Sequence, residues 1–284
     1  MSTMHAEAAG TFRLCGELTV NRLGYGAMRI TGPGIWQEPK DQAEARAVLR
    51  RAVELGVNFI DTADSYGPAV SERLIGEALR PYPEDLVIAT KGGLLRPGPG
   101  NWQPDGRPEH LRQALEGSLQ RLGVETIDLY QFHRPDPKVP FEESVGAIVD
   151  FQREGKVRLI GLSNVTVEQL RAAQAMTKVA SVQNRFNLED RSSDAVLAAT
   201  EQDGIAFLPW APLGGNAGAI GGVIEQIAEA HGAKPNQALL AWLLALSPVM
   251  LPIPGTGSVA HLEENMGAAS LQLTPDELQR LRNA

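Results

Sequence analysis

The chain has one cysteine, Cys15, in 284 residues. That excludes an intrachain disulfide framework and a cysteine-built metal site, and it suits a reducing compartment such as the cytoplasm. Clustered positive charge is missing too. With 26 Lys and Arg against 34 Asp and Glu, the net charge is −8, which argues against nucleic-acid binding and against a polybasic membrane patch. No apolar run is long enough to span a bilayer: the longest, Gln237 to Val249, is broken by Ser and Pro and falls short of the ~20 residues a crossing needs. The opening MSTMHAEAAG has neither a basic n-region nor an apolar h-region, so it reads as a flexible tail over residues 1–10 and not as a signal peptide. The histidines, His5, His110, His133, His231 and His261, show no H-x-x-x-H spacing, and no metal site is expected.

What is present is a 43% hydrophobic, 21% charged composition, ordinary for a globular protein that buries a core. The length lies near the ~250 residues of a (β/α)8 barrel, and no linker divides it, so one domain over residues 1–284 is expected. From Asp41 onward helical and strand patterns alternate. DQAEARAVLRRAVELG gathers its Ala, Val and Leu on one helix face, and VNFID follows as a strand. Then come helix 71–79, LVIAT, helix 108–122, TIDLYQF, helix 141–154, VRLIGLS, helix 167–176, VASVQ, helix 193–202, IAFLPW, helix 236–245, VMLPI and helix 259–268. With RLGYGAM counted first, the strands number eight, which closes an α/β TIM barrel. Before them, FRLCGELTVNRLG predicts a β-hairpin capping the barrel bottom. Two long connections, Gly92 to Arg107 and Ala211 to Gly222, follow strand C-termini. That is the face where barrels carry their sites, so substrate cover and phosphate grip are expected there, with plain insertion as the alternative.

Successive strand ends deliver Asp61, then Tyr66 in DTADSYG, then Lys91 and His133 to that same rim. Taken singly, each has a plainer reading: a helix-capping Asp, a packing Tyr, a solvated Lys, a loop His. Together they suit proton transfer to a carbonyl oxygen. Tyrosine, with an ordinary pKa of about 10, is protonated at neutral pH. A neighbouring Lys91 would lower that pKa, Asp61 would hold the ammonium charged and aimed, and His133 would donate to the carbonyl oxygen.

The segments LGYGAM, FIDTADSYG, LVIATKGG, IDLYQFH, IGLSN, VQNRFN, LPWAPLGG and IPGTGS with HLEEN resemble the aldo-keto reductases in order and spacing, over about residues 18–265. NRLGYGAM, IGLSNVT and PLGG are closest to the branch holding bacterial pyridoxal reductases. The resemblance implies a nicotinamide-dependent oxidoreductase that reduces aldehydes or ketones to alcohols, with Asp61, Tyr66, Lys91 and His133 as its catalytic set. It also implies a cofactor held by Gly26 and Met28, by Ser163, Asn164 and Gln183 at the carboxamide, by Trp210 stacked on the nicotinamide, and by Leu213 and Gly214 over the pyrophosphate. Gly255, Thr256, Ser258, Glu264 and Asn265 would take the adenosine end.

NADPH is favoured because backbone amides, Thr256 and Ser258 can bind its 2′-phosphate; NADH stays open because Gly255 and His261 stand where basic residues are expected, and Lys234 is the only Lys or Arg between Arg191 and Arg280. Rim position assigns substrate contacts to Met28, Arg29, Trp102 and Arg134. The substrate is a small carbonyl compound, and pyridoxal suits two arginines. TPDELQRLRNA closes the chain without a long further loop, so an open mouth is expected. The competing class is a cofactor-binding regulatory subunit of the channel beta-subunit type. All four catalytic residue types favour an enzyme. A hydrolytic or isomerising barrel leaves Tyr66 and Lys91 without a part.

Overall fold

The computed structural model describes residues 5–214 and 221–282. The strands are β1 (Thr11–Leu14), β2 (Leu18–Asn21), β3 (Tyr25–Gly26), β4 (Phe59–Asp61), β5 (Val87–Gly92), β6 (Leu94–Gly98), β7 (Asn101–Pro104), β8 (Ile127–Phe132), β9 (Val157–Ser163), β10 (Val179–Arg185) and β11 (Ala206–Trp210). The α-helices are α1 (Gln42–Glu54), α2 (Val70–Leu79), α3 (Pro108–Leu122), α4 (Phe141–Arg153), α5 (Val167–Gln174), α6 (Asp194–Asp203), α7 (Gly221–Ala230), α8 (Pro235–Leu246), α9 (Val259–Met266) and α10 (Pro275–Arg282).

A parallel sheet of order β11-β10-β9-β8-β5-β4-β3 curls around the core. Its two ends meet across the VMLPI segment: Phe207 N donates to Val249 O and Leu251 N to Phe207 O, while Gly24 and Gly26 N donate to the carbonyls of Pro252 and Pro254. The expected eighth strand therefore closes the (β/α)8 barrel as an irregular seam. Pro252 and Pro254 have no N–H to give a ladder. Close approach at the seam requires glycine, since a Cβ on Gly26 would stand 2.6 Å from Ile253 O.

Inside the barrel β4, β5 and β8 are apolar low down and polar at or just past their C-terminal ends. Phe59 precedes Asp61, Val87 and Ala89 precede Lys91, and Leu129 precedes Gln131 and His133. The two-residue period of a strand keeps these side chains on one face. Phe59, Val87, Ala89, Leu129, Leu159, Ala206, Leu208 and Leu251 form an apolar plug, closed from below by Leu14 and Val20 of the antiparallel β1–β2 hairpin. The hairpin cap is thus as expected. Asn58 ties it down through Asn21 N at 2.7 Å and Thr19 O at 3.2 Å.

Residues 1–10 are not a free tail as far as they are described. From His5 on the chain is held: Ala6 to Ala9 form a turn of 3-10 helix, Ala6 is buried, and its N–H donates to Leu55 O at 2.9 Å. Residues 1–4 lie outside the described residues. So do residues 215–220 of the expected 211–222 loop, and α7 begins within its far end. The other expected loop, 92–107, contains the β6–β7 hairpin, which Gly and Pro in LLRPGPGN conceal from a strand pattern. Among the described residues no helix is long and apolar enough to cross a membrane.

Candidate active site

Asp61, Tyr66, Lys91 and His133 converge at the upper end of the barrel interior, all buried. Lys91 is wholly enclosed. Its ammonium donates to Asp61 Oδ2 at 2.7 Å, to Thr62 O at 2.8 Å and to the Tyr66 hydroxyl at 3.2 Å. An ammonium has three N–H groups, and these contacts use all of them. Asp61 Oδ1 accepts from the Gln131 and Gln183 amides at 2.9 Å and 2.8 Å.

Burial lowers the Lys91 pKa, yet Asp61 and Tyr66 outweigh it and the net direction is upward. Tyr66 departs from expectation: burial raises its pKa more than Lys91 lowers it, so the phenol is held protonated. Burial first, then the charges of Lys91, Arg134 and Arg96, hold His133 far below the usual histidine value, and it is neutral. Its Nδ1 lies 3.3 Å from the Ser65 hydroxyl and its ring meets Tyr66 edge-on at 5.9 Å. Below the rim, Asp64 is pushed up to about 8 by burial and by Glu72. Glu72 itself pairs with Arg121 at 2.7 Å.

The expected cofactor residues fall at or just after the C-terminal ends of β3, β9, β10 and β11 and in the segment from Gly255 into α9. Ser163 and Asn164 are free of helix capping, because Thr166 caps α5 with Gln169. Asn164 takes a positive φ of 57°, and its amide donates to Ser163 Oγ and His133 O while accepting from Trp210 Nε1 at 3.0 Å. Trp210 is half-buried and hydrogen-bonded, not core filling. Gln183 donates to Asp61 and Gln131 and keeps its carbonyl oxygen without a partner among the described residues. Leu213 packs against the core, and Gly214 has φ 72° with the Glu189 carboxylate beside it. At the far end Gly26 and Gly255 touch backbone to backbone. Thr256 Oγ1 accepts from Ser258 N at 3.1 Å, Glu264 O accepts from Gln237, and Asn265 is buried on α9.

Trp102, on β7, meets Tyr66 edge-on at 6.4 Å. Met28 and Arg134 are half-buried. Arg29 is exposed and sits against the Gly255–Gly257 turn, its Cγ 3.7 Å from where a Gly255 Cβ would stand. Sequence reasoning missed Gln131, Ser65, Arg96 and Trp36. A polar residue at the inward position of TIDLYQF was the available signal for Gln131. Gly161 makes the room for it: a Cβ there would lie 2.8 Å from Gln131 Cγ and 2.4 Å from Ser181 Oγ. Among the described residues no group of three or more His, Cys, Asp or Glu could hold a metal.

A TIM barrel that buries a lysine-linked tyrosine beside a neutral histidine at its C-terminal rim has the equipment of a carbonyl-reducing enzyme. The family model described as "Aldo/keto reductase family" matches residues 22–284. An uncharacterized oxidoreductase of Schizosaccharomyces pombe is 50% identical over 281 residues, 99% of this chain and 91% of that protein. The pyridoxine 4-dehydrogenase of Escherichia coli is 43% identical over 280 residues, 96% and 98% of the two. An aldo-keto reductase from Klebsiella pneumoniae, crystallised with NADPH, superposes with a TM-score of 0.81 at 26% identity, over 96% of this chain and 94% of that one. The chain belongs to the aldo/keto reductase family.

Proposed function

We propose that Tyr66 donates the proton to the carbonyl oxygen of an aldehyde or ketone in this NAD(P)H-dependent reductase. The observation that carries this reading is the Lys91–Tyr66 hydrogen bond of 3.2 Å. Because Tyr66 accepts from Lys91, its own O–H is directed elsewhere, toward a substrate oxygen. In the tautomer in which the Ser65 hydroxyl, 3.3 Å away, donates to His133 Nδ1, the imidazole proton is on Nε2 and serves as a second donor. Asp61, fixed by Gln131 and Gln183, keeps the ammonium charged and aimed. The whole chain acts as one domain.

The bound nicotinamide supplies the hydride. The residues present fit it: the unpartnered Gln183 carbonyl suits a carboxamide N–H, and the half-buried Trp210 ring offers a stacking face. Arg29, exposed against the Gly255–Gly257 turn, is the cation we assign to the 2′-phosphate of NADPH, since 255–261 holds no Lys or Arg. The pyridoxine 4-dehydrogenase relative makes pyridoxal the first substrate to try.

The test is NADPH and NADH oxidation with pyridoxal, aromatic aldehydes, aldoses and keto compounds. Turnover with an aldehyde, faster with NADPH, is expected. Cofactor binding without turnover of any carbonyl would overturn the enzymatic reading. Arg29→Gln is expected to weaken NADPH binding in a fluorescence titration while leaving NADH binding near the parent value.

A further inference from the structure

Arg96, on β6, is 8% exposed and has no carboxylate partner among the described residues. Its guanidinium lies 3.5 Å from the Trp102 ring centroid and 5.6 Å from that of Trp36. Nη1 donates to Ser65 O and Nη2 to Gly34 O, both at 3.2 Å, and the buried Nε has no acceptor. The neighbouring buried charges are matched: Lys91 by Asp61, Glu72 by Arg121. Arginine does not escape burial by losing its proton, and an unmatched buried charge is costly. Such a group is a fixed positive charge without its anion.

Its place in the site says where that anion comes from. Trp102, on which the guanidinium is stacked, meets Tyr66 edge-on. Ser65, whose carbonyl accepts from Nη1, has its hydroxyl 3.3 Å from His133 Nδ1. The cation is therefore one residue removed from each proposed proton donor. The chain as a whole carries −8, a field that repels anions, so an anionic ligand needs a local cation in this wall.

We propose that Arg96 makes the site select carbonyl substrates that carry an acidic group, a carboxylate or phosphate, over neutral substrates of the same shape. The proposal rests on the carbonyl-reductase reading and adds the substrate class. Two unit charges about 6 Å apart at an effective dielectric of about 20 change affinity by about a hundredfold, and partial solvent access reduces this to about tenfold. The stack on Trp102 and the hydrogen bonds to Ser65 O and Gly34 O keep the charge in place before substrate arrives.

The experiment compares the parent, Arg96→Gln, Arg96→Lys and Arg134→Gln on para-formylbenzoate and its neutral isostere para-formylbenzamide. The parent is expected to favour the carboxylate about tenfold in kcat/KM, chiefly through KM. Arg96→Gln should bring the ratio near unity, Arg96→Lys should keep part of it, and Arg134→Gln should keep most. A parent ratio near unity, a ratio unchanged in Arg96→Gln, or one lost only in Arg134→Gln overturns the proposal. Binding of the non-reducible para-hydroxymethyl benzoate and benzamide, followed by tryptophan fluorescence, separates the two readings. Charge-selective binding without turnover refutes the reductase and leaves the Arg96 assignment standing. Turnover without charge selectivity does the reverse. If neither Arg96 variant folds, the parent ratio and its survival in Arg134→Gln decide.

Discussion

Lys91 and Tyr66 are joined by a hydrogen bond of 3.2 Å in which the lysine, wholly buried, donates and the phenol oxygen accepts. The direction of that bond matters more than its length. It orients the phenolic hydrogen away from Lys91, and burial keeps that hydrogen on the phenol until a developing alkoxide takes it.

Removing Asp61 leaves that ammonium buried with no matching charge. Asp61→Asn is therefore expected to destabilise the protein by about 3 kcal/mol, the lower end of what breaking a buried pair costs. A lower urea midpoint with an unchanged slope is the check.

Stability should depend on pH through two groups of opposite sign. His133 has its folded pKa held below the ordinary value of about 6.5, chiefly by burial. The unfolded chain binds more protons in that window, so this contribution is present above about 6.5 and lost as pH falls through the lower folded pKa. Asp64, raised to about 8 by burial and Glu72, contributes fully below about 4 and loses that contribution as pH rises through about 8. His133→Gln should flatten the acid limb of the stability profile. Asp64→Asn should flatten the alkaline limb, raising stability at about pH 9 more than at about pH 6.

Most of the barrel was legible because its strands and helices carry different periods. Helix 108–122 and strand VRLIGLS coincide with α3 and β9, where caps or apolar runs are sharp. The β6–β7 hairpin was not legible, since its strands carry glycines and prolines that break alternation and its register shifts between Leu95 and Gly98. Nor was the seam at Pro252 and Pro254, which forms only because both sheet ends arrive beside it. At the site, strand ends revealed the charged residues. Gln131 and Arg96 stayed hidden: their parts depend on partners 70 and 31 residues away in sequence, Asp61 and Ser65.

Gly161 tests the packing beneath Asp61. In Gly161→Ala the new methyl meets Ser181 Oγ and Gln131 Cγ at 2.4 Å and 2.8 Å, overpacking that costs about 1–3 kcal/mol. Gln131 is displaced from Asp61, so kcat should fall along with thermal stability. Loss of stability at full kcat would show that Gln131 does not hold Asp61 in its working position.

The most direct measurement is kcat of Tyr66→Phe on a turned-over aldehyde, alongside cofactor affinity by fluorescence titration. A loss of about a hundredfold to a thousandfold in kcat is expected, the scale for removing one donor to a developing oxyanion, with cofactor affinity near that of the parent. Turnover at the parental rate would contradict this expectation and remove Tyr66 as the proton donor.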